Sequence, residues 1–133
     1  MTITGRCLCG AITYEIANPP QDWGICHCKN CQRQAGSAFS TLAGVPRSDF
    51  RMDGEAKLYE DSDTEAGTTV GRYFCGDCGS ALYSLVESEP DMLYLKTGTM
   101  DDTSTFVPQW QGWCASKQDW VRLEEGIETM ERN

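Results

Sequence analysis

Three closely spaced cysteines constrain this chain more than any other feature of its sequence. Cys26, Cys28 and Cys31 lie in the segment CHCKNCQ, which also contains the only histidine, His27. Side chains two positions apart in an extended strand point to the same face, so a C-x-C pair can present both sulfurs to one ion. A C-x-x-C turn reaches the same arrangement by looping around the metal. The segment therefore predicts a metal site.

Four further cysteines form two pairs with the same kinds of spacing. Cys7 and Cys9 form C-x-C, and Cys75 and Cys78 form C-x-x-C within FCGDCGS. Tetrahedral zinc, with Zn–S bonds of about 2.3 Å, needs sulfurs roughly 3.8 Å apart, which both spacings permit. The eighth cysteine, Cys114, stands alone. The three clusters together favour zinc far more strongly than any one of them would.

Two glycines fit the second pair. Gly76 and Gly79 follow the two cysteines of FCGDCGS. Glycine accepts left-handed backbone angles and lets amide groups approach a thiolate. We therefore expect both glycines to shape a tight turn around a metal.

Seven clustered cysteines make up one four-thiolate site and one three-thiolate site. A closed four-ligand site is structural, whereas three protein ligands and an open position are typical of catalysis. Cys26, Cys28 and Cys31 are the natural candidates for the open site, although spacing alone does not decide how the clusters pair. Cys114 is either a fourth ligand that closes the second site or a small buried apolar residue.

Other residues near the trio have two interpretations each. Strand alternation turns His27 away from its neighbours, either for packing and hydrogen bonding or for a supporting and proton-transferring role. Lys29 and Arg33 either receive a substrate carboxylate or are solvated surface charges. Four aromatic side chains either wall the site or belong to the core. They are Trp23, Phe39, Trp110 and Trp113.

Composition excludes several classes of partner. Eleven Lys and Arg face twenty Asp and Glu, for a net charge of −9, which opposes binding to nucleic acid or to an anionic membrane surface. No run approaches the roughly 20 apolar residues of a membrane span, and the start, MTITGRCLCG, lacks the apolar region of a secretory signal. We therefore expect a cytoplasmic protein. Disulfides are rare there, and neither C-x-x-C has the βαβ context of a redox motif.

The chain pattern predicts a single, mainly β domain over residues 1–133, with a loosely packed tail at 124–133. AITYEI at 11–16 and SAFSTLAGV at 37–45 predict strands, as do KLYE, TTVGRYF, SALYSL and MLYLKTG. NCQRQAG predicts a helix of one or two turns. The acidic run at 59–69 predicts a mobile surface loop. Many short strands separated by turn signals are typical of a sandwich or barrel.

Five motifs in one order resemble the glutathione-dependent formaldehyde-activating enzyme family, also called the Gfa or centromere protein V domain. They are GRCLCGAITYEI, CHCKNCQRQAGSAF, RYFCGDCGSALY, LKTGTMDD and a late stretch rich in Pro and Trp. The resemblance spans 5–120. It implies a zinc-stabilised β-tent fold of short antiparallel strands with few short helices.

The resemblance also implies two zinc sites and an activity. A structural zinc is implied at Cys7, Cys9, Cys75 and Cys78. A second, catalytic zinc is implied at Cys26, Cys28 and Cys31, and its three ligands predict that it is the more labile of the two. The implied activity is that of a carbon–sulfur lyase, which joins glutathione or a similar thiol to an aldehyde such as formaldehyde, or cleaves the adduct.

One departure from the family pattern favours a different function. Family members often carry His-Ile in the late segment, where this chain has Gln111 and Gly112, while Lys117 and Trp120 are in place. Glutamine cannot act as an acid or base at neutral pH. The alternative is a non-catalytic binding module in which both zincs are structural.

Overall fold

Two β-sheets and one short α-helix make up the computed structural model, which describes residues 2–123 and 125–133. Their strands and helix are β1 Ile3–Arg6, β2 Thr13–Ile16, β3 Asp22–Cys26, α1 Lys29–Ala35, β4 Ser40–Pro46, β5 Phe50–Asp53, β6 Ala56–Asp61, β7 Val70–Cys75, β8 Ala81–Val86, β9 Met92–Lys96, β10 Trp110–Gly112 and β11 Glu128–Thr129. Met1 and Glu124, the first residues of the predicted domain and of the predicted tail, lie outside the described residues. The prediction of a mainly β fold is confirmed.

The smaller sheet has the order β1-β2-β5, and the larger has the order β11-β10-β3-β4-β9-β8-β7-β6. Pairing is antiparallel except around β10, which runs parallel to both β3 and β11. The parallel pair sets Gly112 opposite Cys26. A late segment of the chain is thereby placed beside the three-cysteine motif.

The hydrophobic core lies between the two sheets. Tyr14 and Ile16 of β2 point into it from the smaller sheet. Val45 of β4 and Leu95 of β9 point into it from the larger sheet, and both are fully buried. Burying each aliphatic side chain of this size contributes about 1.5–3 kcal/mol. This core fixes which side of the larger sheet faces inward.

The other face of the larger sheet carries the alternate residues of the same strands. Leu42 of β4 lies opposite Lys96 of β9, and Arg72 of β7 lies opposite Ser84 of β8. All four are buried, although only Leu42 is apolar. Because side chains alternate between the faces of a strand, the strands that build the core also present buried polar groups on the opposite face.

The predicted strands all occur, with shifted ends. AITYEI begins pairing only at Thr13, and the strand within SAFSTLAGV runs over Ser40–Pro46. The prediction of a mobile loop over 59–69 is wrong for its first three residues. Tyr59–Asp61 form the end of β6, and Asp61 is buried. The sequence patterns did not identify β1, β3, β5, β10 or β11.

The predicted helix has two turns and ends at a glycine. Gly36 adopts a left-handed conformation, with φ of 65°, and its N–H donates to Gln32 O at 2.8 Å. This is a common helix end because glycine has no Cβ to clash. Within the described ranges, no helix is both long enough and apolar enough to cross a membrane.

Candidate metal centres

Four cysteines from distant parts of the chain meet at one end of the core. Their sulfurs all lie within 4.8 Å of one another, and they are Cys7, Cys9, Cys75 and Cys78. Cys7 Sγ lies 3.7 Å from Cys9 Sγ, which lies 3.8 Å from Cys75 Sγ. These separations match the roughly 3.8 Å edge of a tetrahedral zinc–thiolate site. The donor set therefore fits a closed structural zinc.

Tight turns hold this four-cysteine cluster. The N–H of Ile12 donates to Cys7 Sγ at 3.3 Å, so one sulfur accepts a backbone hydrogen bond. Gly79 has φ of 79°, and its N–H donates to Cys75 O at 2.8 Å. Gly76 does not adopt a positive φ, so the conformational prediction is right for Gly79 and wrong for Gly76.

The second cluster lies where β3 passes into α1. Cys26 ends β3, Cys28 caps the N-terminus of α1, and Cys31 lies in its first turn. The N–H of Cys31 donates to Cys28 Sγ at 3.3 Å, so the cap itself uses a sulfur. All three sulfurs lie within 4.8 Å of one another. In the described part of the chain, this group contains no fourth His, Cys, Asp or Glu.

A cavity of about 480 Å³ opens beside the trio, and all three of its cysteines contribute to the wall. This volume falls within the usual range for small-molecule sites. Trp110 and Trp113 form another part of the wall. Gly24 makes room for Trp110, because a Cβ at this glycine would lie 2.0 Å from the indole Cε2. The three sulfurs thus form a donor set that could hold a zinc at the wall of this cavity.

Two buried cations, which the sequence patterns did not identify, line the same cavity. Arg72 Nη1 lies 3.9 Å from Cys31 Sγ, and Arg72 Nη2 lies 2.8 Å from Asp61 Oδ2 in a buried salt bridge. Lys96 Nζ donates to Ser40 Oγ at 2.9 Å. The sequence did contain a signal for these two cations, because TTVGRYF and MLYLKTG each place one basic residue inside an apolar strand segment. The cations stabilise negative charge on the sulfurs.

The three sulfurs of the trio shift one another's pKa values. The pKa of Cys31 is lowered to about 2, because Cys26 and Cys28 hydrogen-bond to its sulfur and the charges of Lys96 and Arg72 lie close. The pKa of Cys26 is raised, chiefly by its hydrogen bonds with Cys28 and Cys31 and then by burial. Burial lowers the pKa of Lys96, against the opposing effect of Cys31.

The predicted basic contacts lie elsewhere. Lys29 and Arg33 are exposed on α1 and do not line the cavity among the described residues. Their role toward a substrate stays a prediction. Of the four aromatic candidates, Trp110 and Trp113 line the cavity, Trp23 packs in the main core, and Phe39 lies edge-on to His27.

His27 faces away from the cavity and is fully buried. Its Nε2 lies 2.9 Å from Gln111 Oε1, the amide that stands where the resemblance leads one to expect histidine. Burial lowers the pKa of His27, although the Gln111 contact opposes this shift. A supporting role for His27 stays a prediction, and its geometry is that of a buried hydrogen-bonding residue.

Cys114 belongs to neither cluster. Its Sγ lies 3.6 Å from Gln111 O, and the side chain is half-buried. Burial raises the pKa of this thiol. None of the eight cysteines forms a disulfide.

A mainly β protein with one four-cysteine cluster and one three-cysteine cluster, each able to hold a metal, is the class that this fold and these sites define. The chain belongs to the glutathione-dependent formaldehyde-activating enzyme family, whose sequence profile matches residues 2–116. The resemblance noted from the five motifs is therefore confirmed.

Relatives from bacteria and fungi agree with this membership. A Halomonas elongata protein, provisionally named glutathione-dependent formaldehyde-activating enzyme, is 26% identical over 93% of this chain and 82% of its own length. A Penicillium rubens protein with the same provisional name is 28% identical over 84% of this chain. The chain spans only 60% of that fungal protein.

A solved structure supports the fold alone. The crystal structure of a Rhodobacter sphaeroides protein matches 96% of this chain and 98% of its own, with a TM-score of 0.58 and 20% identity.

Proposed function

We propose that this protein is a zinc-dependent carbon–sulfur lyase that joins a thiol, such as glutathione, to a small aldehyde, such as formaldehyde, or cleaves the adduct. The observation that carries the proposal is the placement of the trio, because three sulfurs form part of a cavity wall that also contains two buried cations. A purely structural site does not need an adjoining cavity. Family membership supports the same class of chemistry.

Cys26, Cys28 and Cys31 would hold the catalytic zinc, and the four-cysteine cluster would hold a structural one. When bound at the trio, zinc supplies a Lewis acid that stabilises a thiolate at neutral pH. Arg72 and Lys96 place positive charge beside the same sulfurs. Asp61 Oδ2 accepts hydrogen bonds from both Nε and Nη2 of Arg72. The position of the Arg72 guanidinium is therefore set before a substrate binds.

The reaction needs no oxidant. In the forming direction, the substrate sulfur bonds to the aldehyde carbon, and the carbonyl electron pair moves to the oxygen. The proton that the thiol gives up ends on that oxygen, and cleavage reverses each change. Arg72 and Lys96 stabilise the negative charge that develops during either direction, because buried, fixed cations act strongly in a site of low dielectric. Trp110 and Trp113 make part of the cavity wall apolar.

The proposal is tested by pairing turnover with metal content. The purified, zinc-loaded protein is incubated with several thiols and aldehydes while free thiol and adduct are measured. Cys31→Ser is expected to keep the fold, lose one zinc and lose activity. Cys75→Ser is expected to lose the other zinc and unfold. Cys114→Ser serves as the matched control and should keep both metals.

If Cys31→Ser unfolds as Cys75→Ser does, the trio is a structural site and the binding-module function stands instead. Wild-type protein that retains two zincs yet turns over none of the thiol and aldehyde pairs also contradicts the lyase proposal. We further propose a cytoplasmic location, because cysteines without disulfides are typical of a reducing compartment.

A further inference from the structure

Charge is distributed unevenly along the cavity beside the trio. At the sulfur end, Arg72 and Lys96 are buried. Three acidic residues also line the cavity, and all three are exposed, so they lie on its solvent side. They are Glu65, Glu89 and Glu128. The entrance that a substrate must pass is therefore acidic.

The two cavity cations already have partners. Arg72 pairs with Asp61 at 2.8 Å and lies 3.9 Å from Cys31 Sγ, and Lys96 Nζ donates to Ser40 Oγ at 2.9 Å. In the described ranges, no other lysine or arginine lines the cavity. Arg132 reaches the rim only through a 3.5 Å contact with Glu65, and both side chains are exposed. Such an exposed pair binds weakly and is screened by salt.

Much of the remaining wall is apolar and aromatic, beside several neutral polar residues. Tyr94, Trp110 and Trp113 line it, together with Val70, Val86 and Met130. Two of the aromatic side chains are fixed by hydrogen bonds. Trp110 Nε1 donates to Asp22 Oδ1 at 2.6 Å, and Tyr94 OH donates to Glu89 Oε1 at 2.6 Å. This surface favours an apolar or aromatic group, and aromatic faces beside carboxylates also accept an ammonium group.

We infer that this protein prefers thiols with an apolar or aromatic body and no net negative charge over glutathione. Glutathione carries two carboxylates and one ammonium group, so its net charge is negative. Either carboxylate would meet glutamates at the entrance, and the nearby Arg132 is already paired with Glu65. This inference rests on the proposed function, because it names the class of thiol that binds in the cavity beside the proposed catalytic trio.

Calorimetric titration of the zinc-loaded protein with three thiols tests this inference through binding alone. Benzyl mercaptan is neutral and aromatic, glutathione is anionic, and glutathione diethyl ester keeps the peptide while blocking both carboxylates. We expect the ester and benzyl mercaptan to bind at least about tenfold more tightly than glutathione, since like charges across a partly dry cavity repel. The advantage of the ester should shrink in high salt.

A pair of triple variants locates the effect. Glu65→Gln/Glu89→Gln/Glu128→Gln removes the entrance charges and should improve glutathione binding while leaving benzyl mercaptan nearly unchanged. Glu15→Gln/Glu60→Gln/Glu125→Gln removes the same number of exposed charges away from the cavity and should change neither affinity.

The outcomes separate the inference from the function on which it rests. If glutathione binds as tightly as its ester, or if the control triple variant improves glutathione binding equally, the inference is overturned and the lyase proposal stands. If none of the three thiols binds the zinc-loaded protein, the lyase proposal fails and the inference fails with it.

Discussion

Arg72 and Asp61 form a salt bridge with an Nη2–Oδ2 distance of 2.8 Å, and their side chains are only 7% and 10% exposed. Asn30 donates to the same Asp61 Oδ2 at 2.9 Å. The pair therefore ties α1, which carries Cys31, to strands β6 and β7. A single carboxylate oxygen links the trio to the far end of the larger sheet.

Removing the arginine should destabilise the protein strongly. Arg72→Met leaves Asp61 buried without its cation, and breaking a buried ion pair in this way costs about 3–5 kcal/mol. Urea unfolding followed by circular dichroism measures the loss. Arg51→Met, at an exposed position in β5, is the matched control and should change the free energy of unfolding by less than about 0.5 kcal/mol. Equal stability of the two variants would contradict the role assigned to this salt bridge.

The spacing predicted the cysteine motifs, and the family resemblance predicted how the two pairs combine, but neither pointed to these two cations. Metal-ligand spacing is local, so C-x-C and C-x-x-C mark candidate ligands without any knowledge of the fold. Whether Arg72 and Lys96 lie beside the cysteines depends on which strands pair with β7 and β9. The alternation within TTVGRYF and MLYLKTG does not predict that pairing. Register between distant strands is set by tertiary packing. The parallel pairing of β10 with β3 was unpredictable for the same reason.

A chelator should remove two metal ions in two separate steps. The trio has three thiolates and adjoins a cavity, whereas the other cluster offers four sulfurs. An incompletely caged ion is exchanged more readily, so its release should precede unfolding. A colorimetric zinc indicator, read together with circular dichroism at rising chelator concentration, measures both events. Release of both ions in one step that coincides with unfolding would argue that the two sites are equally structural.

Adding one methyl group at Gly24 should deform the cavity wall. The Cβ of Gly24→Ala would lie 2.0 Å from Trp110 Cε2, so the indole must move away from the wall. Overpacking of this kind costs about 1–3 kcal/mol of stability, and thiol binding should weaken as well. Thermal unfolding and calorimetric titration measure the two effects. Gly98→Ala is the control, since nothing lies within 4 Å of its added Cβ, and it should match the wild type in both.

The contact between His27 and Gln111 should matter more for stability than for turnover. Gln111→Ala removes the 2.9 Å partner of a fully buried imidazole, and an unsatisfied buried polar group costs about 1–3 kcal/mol. Because His27 does not line the cavity, kcat should stay close to the wild-type value although the free energy of unfolding falls. Denaturation and steady-state kinetics of the same preparation test this. Gln21→Ala, at an exposed site, should leave both unchanged. A large fall in kcat at full stability would give His27 the supporting role that its position next to Cys26 suggested.

The order in which the chain is synthesised has a consequence for the trio. Cys26, Cys28 and Cys31 emerge from the ribosome well before Lys96, and Trp110 follows later still. During translation these thiols therefore lack both the flanking cation and the aromatic wall that later enclose them. A nascent chain in this state is open to oxidants and to competing metal ions, so loading of the proposed zinc would depend on the metal supply and the reducing power of the cell while synthesis is still under way.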